Sequence, residues 1–129
     1  MRIEININPV PASRPRVTKW AVFYPKKYTN FRIEIAKLLS DMYIEKYDGL
    51  LELSLYLEIA MPKSWSKKKK LEKLGTWQDG NADNDNYEKA VWDALNGIAY
   101  NDDCQIVVNR TERRWQQSGK ITVIIKEFN

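Results

Sequence analysis

Between Asp83 and Asp103 the chain gathers several carboxylates and one lysine around a single predicted helix. Asp83, Asp85 and Lys89 stand at its start, and Asp102 and Asp103 follow its end. A short extended approach to the helix would point Asp83 and Asp85 to one side, because strand residues two apart share a face. Lys89 follows Asp85 by one helical turn, so its ammonium can lie over the same surface. Hard oxygen donors of this kind suit Mg²⁺, which keeps several waters and shares one or two carboxylates with substrate phosphates. A lysine beside such an ion would stabilise charge developing on a phosphate under attack. The pattern therefore suggests a metal-dependent enzyme acting on a polyanion. The same residues have a plainer use: Asp and Asn are preferred N-caps, and acids in a first turn favour the helix dipole. Taken alone, Asp83 to Asn86 fits that use better. A calcium loop opening at Asp79 fails, since Asn84 and Ala90 stand where Gly and Glu are needed.

The elements that must position these residues follow from periodicity. Tyr87, Ala90, Val91, Ala94, Leu95 and Ile98 recur at helical spacing, and Asn96-Gly97 is a good stop. Ile3, Ile5 and Ile7 alternate with polar residues as a half-buried strand does, and Pro9 closes it. Phe31, Ile35, Leu38, Leu39 and Met42 predict a helix over about 28–47, ended by Asp48-Gly49. The strongest strand signal is Leu51 to Met61, with alternate Leu and Ile, which makes it a central strand. Ser66 is a candidate N-cap for a short lysine-rich helix, and Thr76 to Asn81 reads as an approach loop. Gln105 to Trp115 and Lys120 to Lys126 read as two strands of a hairpin joined through Gln116 to Gly119. The expected architecture is α+β: one small domain over 1–129, with a mixed sheet of about four strands and two main helices.

With 129 residues, 43% of them hydrophobic, the chain suits one modest core. It has no histidine, which excludes histidine triads, histidine bases and histidine metal ligands. Its single cysteine, Cys104, reads as a buried structural thiol rather than a nucleophile. No apolar run would span a bilayer or serve as a signal core, so no membrane partner and a cytoplasmic setting are expected. Net charge +4 suits a polyanionic partner. Arg14, Arg16 and Lys19 interleave with Trp20, Phe23 and Tyr24; such cations grip phosphates while aromatics stack on unpaired bases. Equally, that stretch could be a loop tucking its aromatics onto the core. Lys67, Lys68, Lys69, Lys70 and Lys73 form a basic run just upstream of the acids, suited to guiding phosphates or merely to a solvated face. Arg110, Arg113 and Arg114 are candidates for DNA contact or for pairing with Glu112.

The run Asp83-Asn84-Asp85-Asn86, Lys89, Asp93-Ala94-Leu95, then Asp102-Asp103 and Gln105-Ile106 resembles the signature of the RusA-like Holliday junction resolvases. Their pattern is roughly D-x-D-N-x-x-K-x-x-x-D-A-L, a short loop, and D-D-x-Q-V/I. Ser13 to Arg16 and Tyr24-Pro25 are similar to the N-terminal part of many members. Asn81-Ala82 and Asn84 depart from residues common there. The resemblance implies that Asp83, Asp85 and Asp103 are metal-binding carboxylates and that Lys89 is the essential lysine, with Asp102 a less certain participant. It also implies a homodimer using Mg²⁺, with Mn²⁺ as a substitute, to nick four-way DNA junctions symmetrically, without a nucleotide cofactor. Two other readings stay open: a non-catalytic module binding branched DNA, and a nuclease of broader flap or fork preference.

Overall fold

The computed structural model describes every residue except Asn81 and Asn129, so the end of the approach loop at Asn81 lies outside the described residues. Its elements are β1 (Arg2–Ile5), β2 (Arg16–Val17), β3 (Val22–Phe23), α1 (Lys26–Ser40), β4 (Leu51–Ala60), α2 (Lys67–Lys73), α3 (Asn84–Leu95), β5 (Ile106–Gln116) and β6 (Lys120–Glu127). A mixed four-stranded sheet has the order β1-β6-β4-β5, and β2 and β3 form a separate two-stranded ribbon. The α+β expectation holds.

Strand β4 is central because its alternation is the most regular in the chain. Leu51, Leu53, Leu55, Leu57 and Ile59 are buried on one face, where they meet Ile121, Val123 and Ile125 of β6 and Ile3 and Ile5 of β1. Helices α1 and α3 cover this face through Tyr28, Phe31, Ile35 and Leu39 and through Tyr87, Ala90, Val91 and Leu95. Each buried Leu, Ile, Val or Phe among them contributes about 1.5–3 kcal/mol by leaving water. The opposite face carries Glu52, Ser54, Tyr56 and Glu58, and among the described residues no helix packs on it.

Two expectations are corrected. Strands β5 and β6 are not a hairpin: β5 runs parallel to β4 on one side and β6 antiparallel to β4 on the other. The apolar face of β4 gains more by pairing on both edges than by sitting at one. Gln117 to Gly119 therefore step across the end of β4, a lateral span of about 10 Å or two inter-strand spacings. The crossing is tight at Gly119, where a Cβ would run into the Asn8 backbone. Gly119→Ala is expected to lower stability by about 1–3 kcal/mol, measurable as a shifted urea midpoint with an unchanged slope. Helix α1 also stops earlier than its sequence suggests, at Ser40 with Asp41 as C-cap. Beyond Met42 the helical rhythm fails, Tyr43 lies in solvent, and the chain must turn back so that Tyr47 can bridge to Tyr100.

Candidate active site

Helix α3 presents the acids and the lysine. Asp83 is its N-cap in extended conformation (φ −77°, ψ 155°), yet its carboxylate makes no capping hydrogen bond. That removes the chief support for the plain capping role. Asp85 lies inside the first turn, where its Oδ1 accepts the Asn86 N–H at 3.1 Å. The extended approach expected for Asp83 and Asp85 is therefore corrected: the helix begins between them, and helical positions two apart do not face each other. Lys89 is exposed and its Nζ lies 3.3 Å from Asp93 Oδ2, one turn on, rather than against Asp85.

Asp102 and Asp103 sit in a 3-10 turn that leads directly into β5. Asp102 caps it, accepting the Cys104 N–H at 3.1 Å. Gln105 fixes the turn with all its amide capacity: its Oε1 accepts the N–H groups of Asn101 and Asp102 at 2.8 and 3.1 Å, and its Nε2 donates to the carbonyls of Tyr47 and Gly49 at 3.0 and 2.9 Å. Partial burial, a hydrogen bond shared with Asp102 and the charges of Asp102 and Asp93 push the Asp103 carboxyl up, against the pull of Lys89. The Cys104 N–H, followed by the bond with Asp103, holds Asp102 below the usual carboxylate range. Asp93, Asp102, Asp103 and Lys89 thus share one electrostatic neighbourhood. Among the described residues, no three acidic side chains converge into a ready-made cage for an ion. Cys104 is exposed, not buried as expected, because the turn keeps it at the surface.

Helix α3 is fastened to β5 by residues that the motif alone does not flag. Glu88, only 8% exposed, accepts hydrogen bonds from Asn109 Nδ2 and from Thr111 Oγ1, the latter at 2.8 Å. Arg113 lies over the Tyr87 ring at 5.3 Å and donates to the Ala82 carbonyl, fixing the chain just before Asp83. Arg113 is therefore a brace on the helix-covered face, its guanidinium engaged by Tyr87 and Ala82. The cause is register: Arg113 pairs with Leu57 of β4, whose side chain points into the core. Arg110 pairs with Ser54 on the opposite, open face and forms an ion pair with Glu112 at 3.3 Å. A bulge where Val107 enters β5 sets this alternation immediately after the acidic turn.

A cleft of about 410 Å³ lies beside Lys89 and Asp93, between α3, α1 and the loop carrying Arg14. The Ala12 N–H donates to the Asn86 carbonyl at 2.9 Å and so ties that loop to α3. Arg32 of α1 lines the cleft with its guanidinium 5.3 Å from the Tyr24 ring and 5.8 Å from that of Tyr28. The only signal for it in the sequence was its position one turn from Tyr28. A slightly larger cleft, about 460 Å³, lies on the open sheet face, but its cations are engaged in the Arg2–Glu4–Lys120 and Glu112–Arg114 pairs. Chemistry favours the smaller one.

The other basic candidates belong to separate elements. Arg16 and Lys19 belong to the β2–β3 ribbon and its turn, where Trp20 is 86% exposed with Lys19 Nζ 5.3 Å from its ring. Helix α2 carries Lys67 to Lys70 and Lys73, capped by Ser66, whose Oγ accepts the Lys69 N–H at 3.2 Å. It is anchored through Trp65, which packs edge-on against Trp115 at 4.9 Å. Trp115 is at the far end of β5 from Asp103, and 11 strand residues span about 35 Å. The lysine run is thus remote from Asp103, whereas Arg113, two residues before Trp115, ties this end of β5 to the chain just before Asp83.

The profile of the endodeoxyribonuclease RusA family matches residues 6–126, which include all these acids, Lys89 and the cleft. The chain belongs to the RusA family. Family membership makes the protein an endodeoxyribonuclease, a hydrolase acting on DNA. It is also 32% identical over 130 residues to the uncharacterized protein YqaN of Bacillus subtilis (strain 168), covering 94% of this chain and 92% of that relative. For a RusA-family nuclease the substrate backbone is polyanionic, which fits the net charge of +4. No helix among the described residues is long and apolar enough to cross a membrane.

Proposed function

We propose that the protein resolves four-way DNA junctions by paired, symmetric nicks, using Mg²⁺ with Mn²⁺ as a substitute. The observation that carries this reading is the exposed, uncapped carboxylate of Asp83 at the head of α3, in a chain matched along nearly its whole length by a DNA endonuclease family. The donor set fits the ion by chemistry: all the candidate ligands are carboxylates, and a hard cation that keeps waters and substrate oxygens needs no closed protein cage. Asp83, Asp85 and Asp103 would hold it. When bound, it would polarise the scissile phosphate and lower the pKa of a coordinated water.

The remaining work belongs to the chain itself. Lys89 offsets charge on the phosphate, and Asp93, 3.3 Å from its Nζ, limits the volume that the ammonium explores. The acid at 103 is held by the turn that Gln105 fixes, while the helix at 83–85 is held by Glu88 and Arg113. Arg14, Arg16 and Lys19 contact the strands near the branch, and Lys67 to Lys70 and Lys73 touch an arm of the same junction. Arg110 adds charge on the other face. A junction cut on two strands calls for two sites, and a two-fold homodimer supplies them. The exposed start of edge strand β5, at Val107 and Val108, is the surface suited to that contact.

The decisive assay compares strand cleavage of a synthetic four-way junction with that of a matched linear duplex, in Mg²⁺ and in chelator. Paired nicks on the junction alone, lost with chelator, are the expected result. Equal cutting of flaps and forks would broaden the substrate class, and metal-independent cutting would sink the metal assignment.

A further inference from the structure

We infer that the cleft beside Lys89 receives one unstacked nucleotide of the strand being cut, with its phosphate held by Arg14 and Arg32 and its base stacked against Tyr24. The inference rests on the junction-cleaving reading and deepens it. Four observations meet here. The cleft, about 410 Å³, lies within the size range of small-ligand pockets. Among the described residues neither Arg14 nor Arg32 has a carboxylate in ion-pair reach, unlike the cations lining the larger cleft. Tyr24 is 43% exposed, whereas Tyr28 beneath it is 4% exposed, so one ring is available for stacking and the other supports it edge-on at 6.2 Å. Lys89, the residue assigned to the scissile phosphate, lines the same wall.

The chemistry selects a nucleotide over a bare anion. An arginine lying over tyrosine rings makes a composite platform, and unpaired bases stack on both aromatic faces and guanidinium planes. Asn86, at the rim on α3, supplies an amide donor and an acceptor for a base edge. Bases next to a branch point cost least to unstack, because they have already lost one neighbour. The Ala12 to Asn86 hydrogen bond keeps the arginine loop in register with the helix, so the platform and Lys89 are set by one frame.

The test is a cycle between side chain and base, read as junction affinity in chelator. Each nucleotide next to the branch is replaced in turn by an abasic residue, and the unmodified protein is compared with Tyr24→Ala, Tyr24→Phe and Arg32→Ala. Tyr24→Ala is expected to weaken binding to the intact junction by about 5- to 100-fold, while Tyr24→Phe binds as the parent does. At one abasic position the Tyr24→Ala penalty should vanish. Arg32→Ala should reduce the salt dependence by about one unit of slope. An equal Tyr24→Ala penalty on intact and on every abasic junction, or no penalty at all, would overturn the inference while junction binding itself stands. Loss of selective junction binding by the parent protein would instead overturn the functional reading beneath it. Displacement of the junction by micromolar deoxynucleoside monophosphate would make the cleft a free-nucleotide site and also overturn the inference.

Discussion

Asp85→Asn is expected to reduce junction cleavage by about 10³-fold or more, equivalent to about 4 kcal/mol of transition-state stabilisation, while leaving binding in chelator intact or slightly tighter. The substitution isolates charge from structure. Asp85 uses one oxygen to accept the Asn86 N–H at 3.1 Å, and asparagine retains an oxygen in that position. The side chain is exposed, so no core packing is disturbed. What disappears is one anionic ligand, and with it part of the attraction for a divalent ion. Binding without metal moves the other way, because a negative charge facing phosphates is removed. Single-turnover cleavage and a binding titration on the same junction separate the two effects. Parallel loss of both would make Asp85 a structural residue, and Asp83→Asn and Asp103→Asn provide the comparison at the other two positions.

The second large effect is at Gln105. Replacing it with alanine removes four hydrogen bonds at once, two to the backbone of the acidic turn and two to the Tyr47–Gly49 segment. The expected loss is about 2 kcal/mol of stability, less than four full bonds because water reaches part of the site. Cleavage should fall further, by about 10²-fold, since displacing a reactive carboxylate by an ångström is enough for that. Gln105→Glu is no remedy. It keeps the oxygens that accept from Asn101 and Asp102 but loses both donors and sets a charge against two carbonyls. Thermal unfolding together with the Mg²⁺ concentration for half-maximal cleavage would test this. A melting shift without a raised metal requirement would mean that the turn is held by other contacts.

The contrast between these two residues shows what was legible beforehand. Asp83, Asp85, Lys89 and Asp103 stand out because their types and spacing announce chemistry, and the helix bearing most of them follows from its apolar stripe. Gln105 stands in the recognisable motif, but its hold on Tyr47 and the bonds of Glu88 to β5 are silent in a sequence because those partners lie 58 and 23 residues away. Arg113 as a brace was hidden for a related reason: only the register of β5 on β4 decides which of Arg110, Arg113 and Arg114 faces the helices. That register depends on the parallel pairing that periodicity alone misread as a hairpin. Arg32 was obscured because its significance lies in an α1 side chain meeting a loop from earlier in the chain across a cleft. The central strand, by contrast, was readable because burial on one face leaves a pattern of period two whatever its neighbours are.

The parallel pairing of β4 with β5 also has a consequence for when the enzyme becomes dangerous to DNA. Helices α2 and α3 both lie in the stretch of chain that connects those strands, and Asp103 lies at the point where the second strand begins. Pairing of this kind must close a long loop before any of its contacts are formed, so it tends to be among the later events in folding. A nascent or partly unfolded chain would carry every acidic residue and the lysine without holding them in common register. On the active site proposed above, nuclease activity is tied to completion of the sheet.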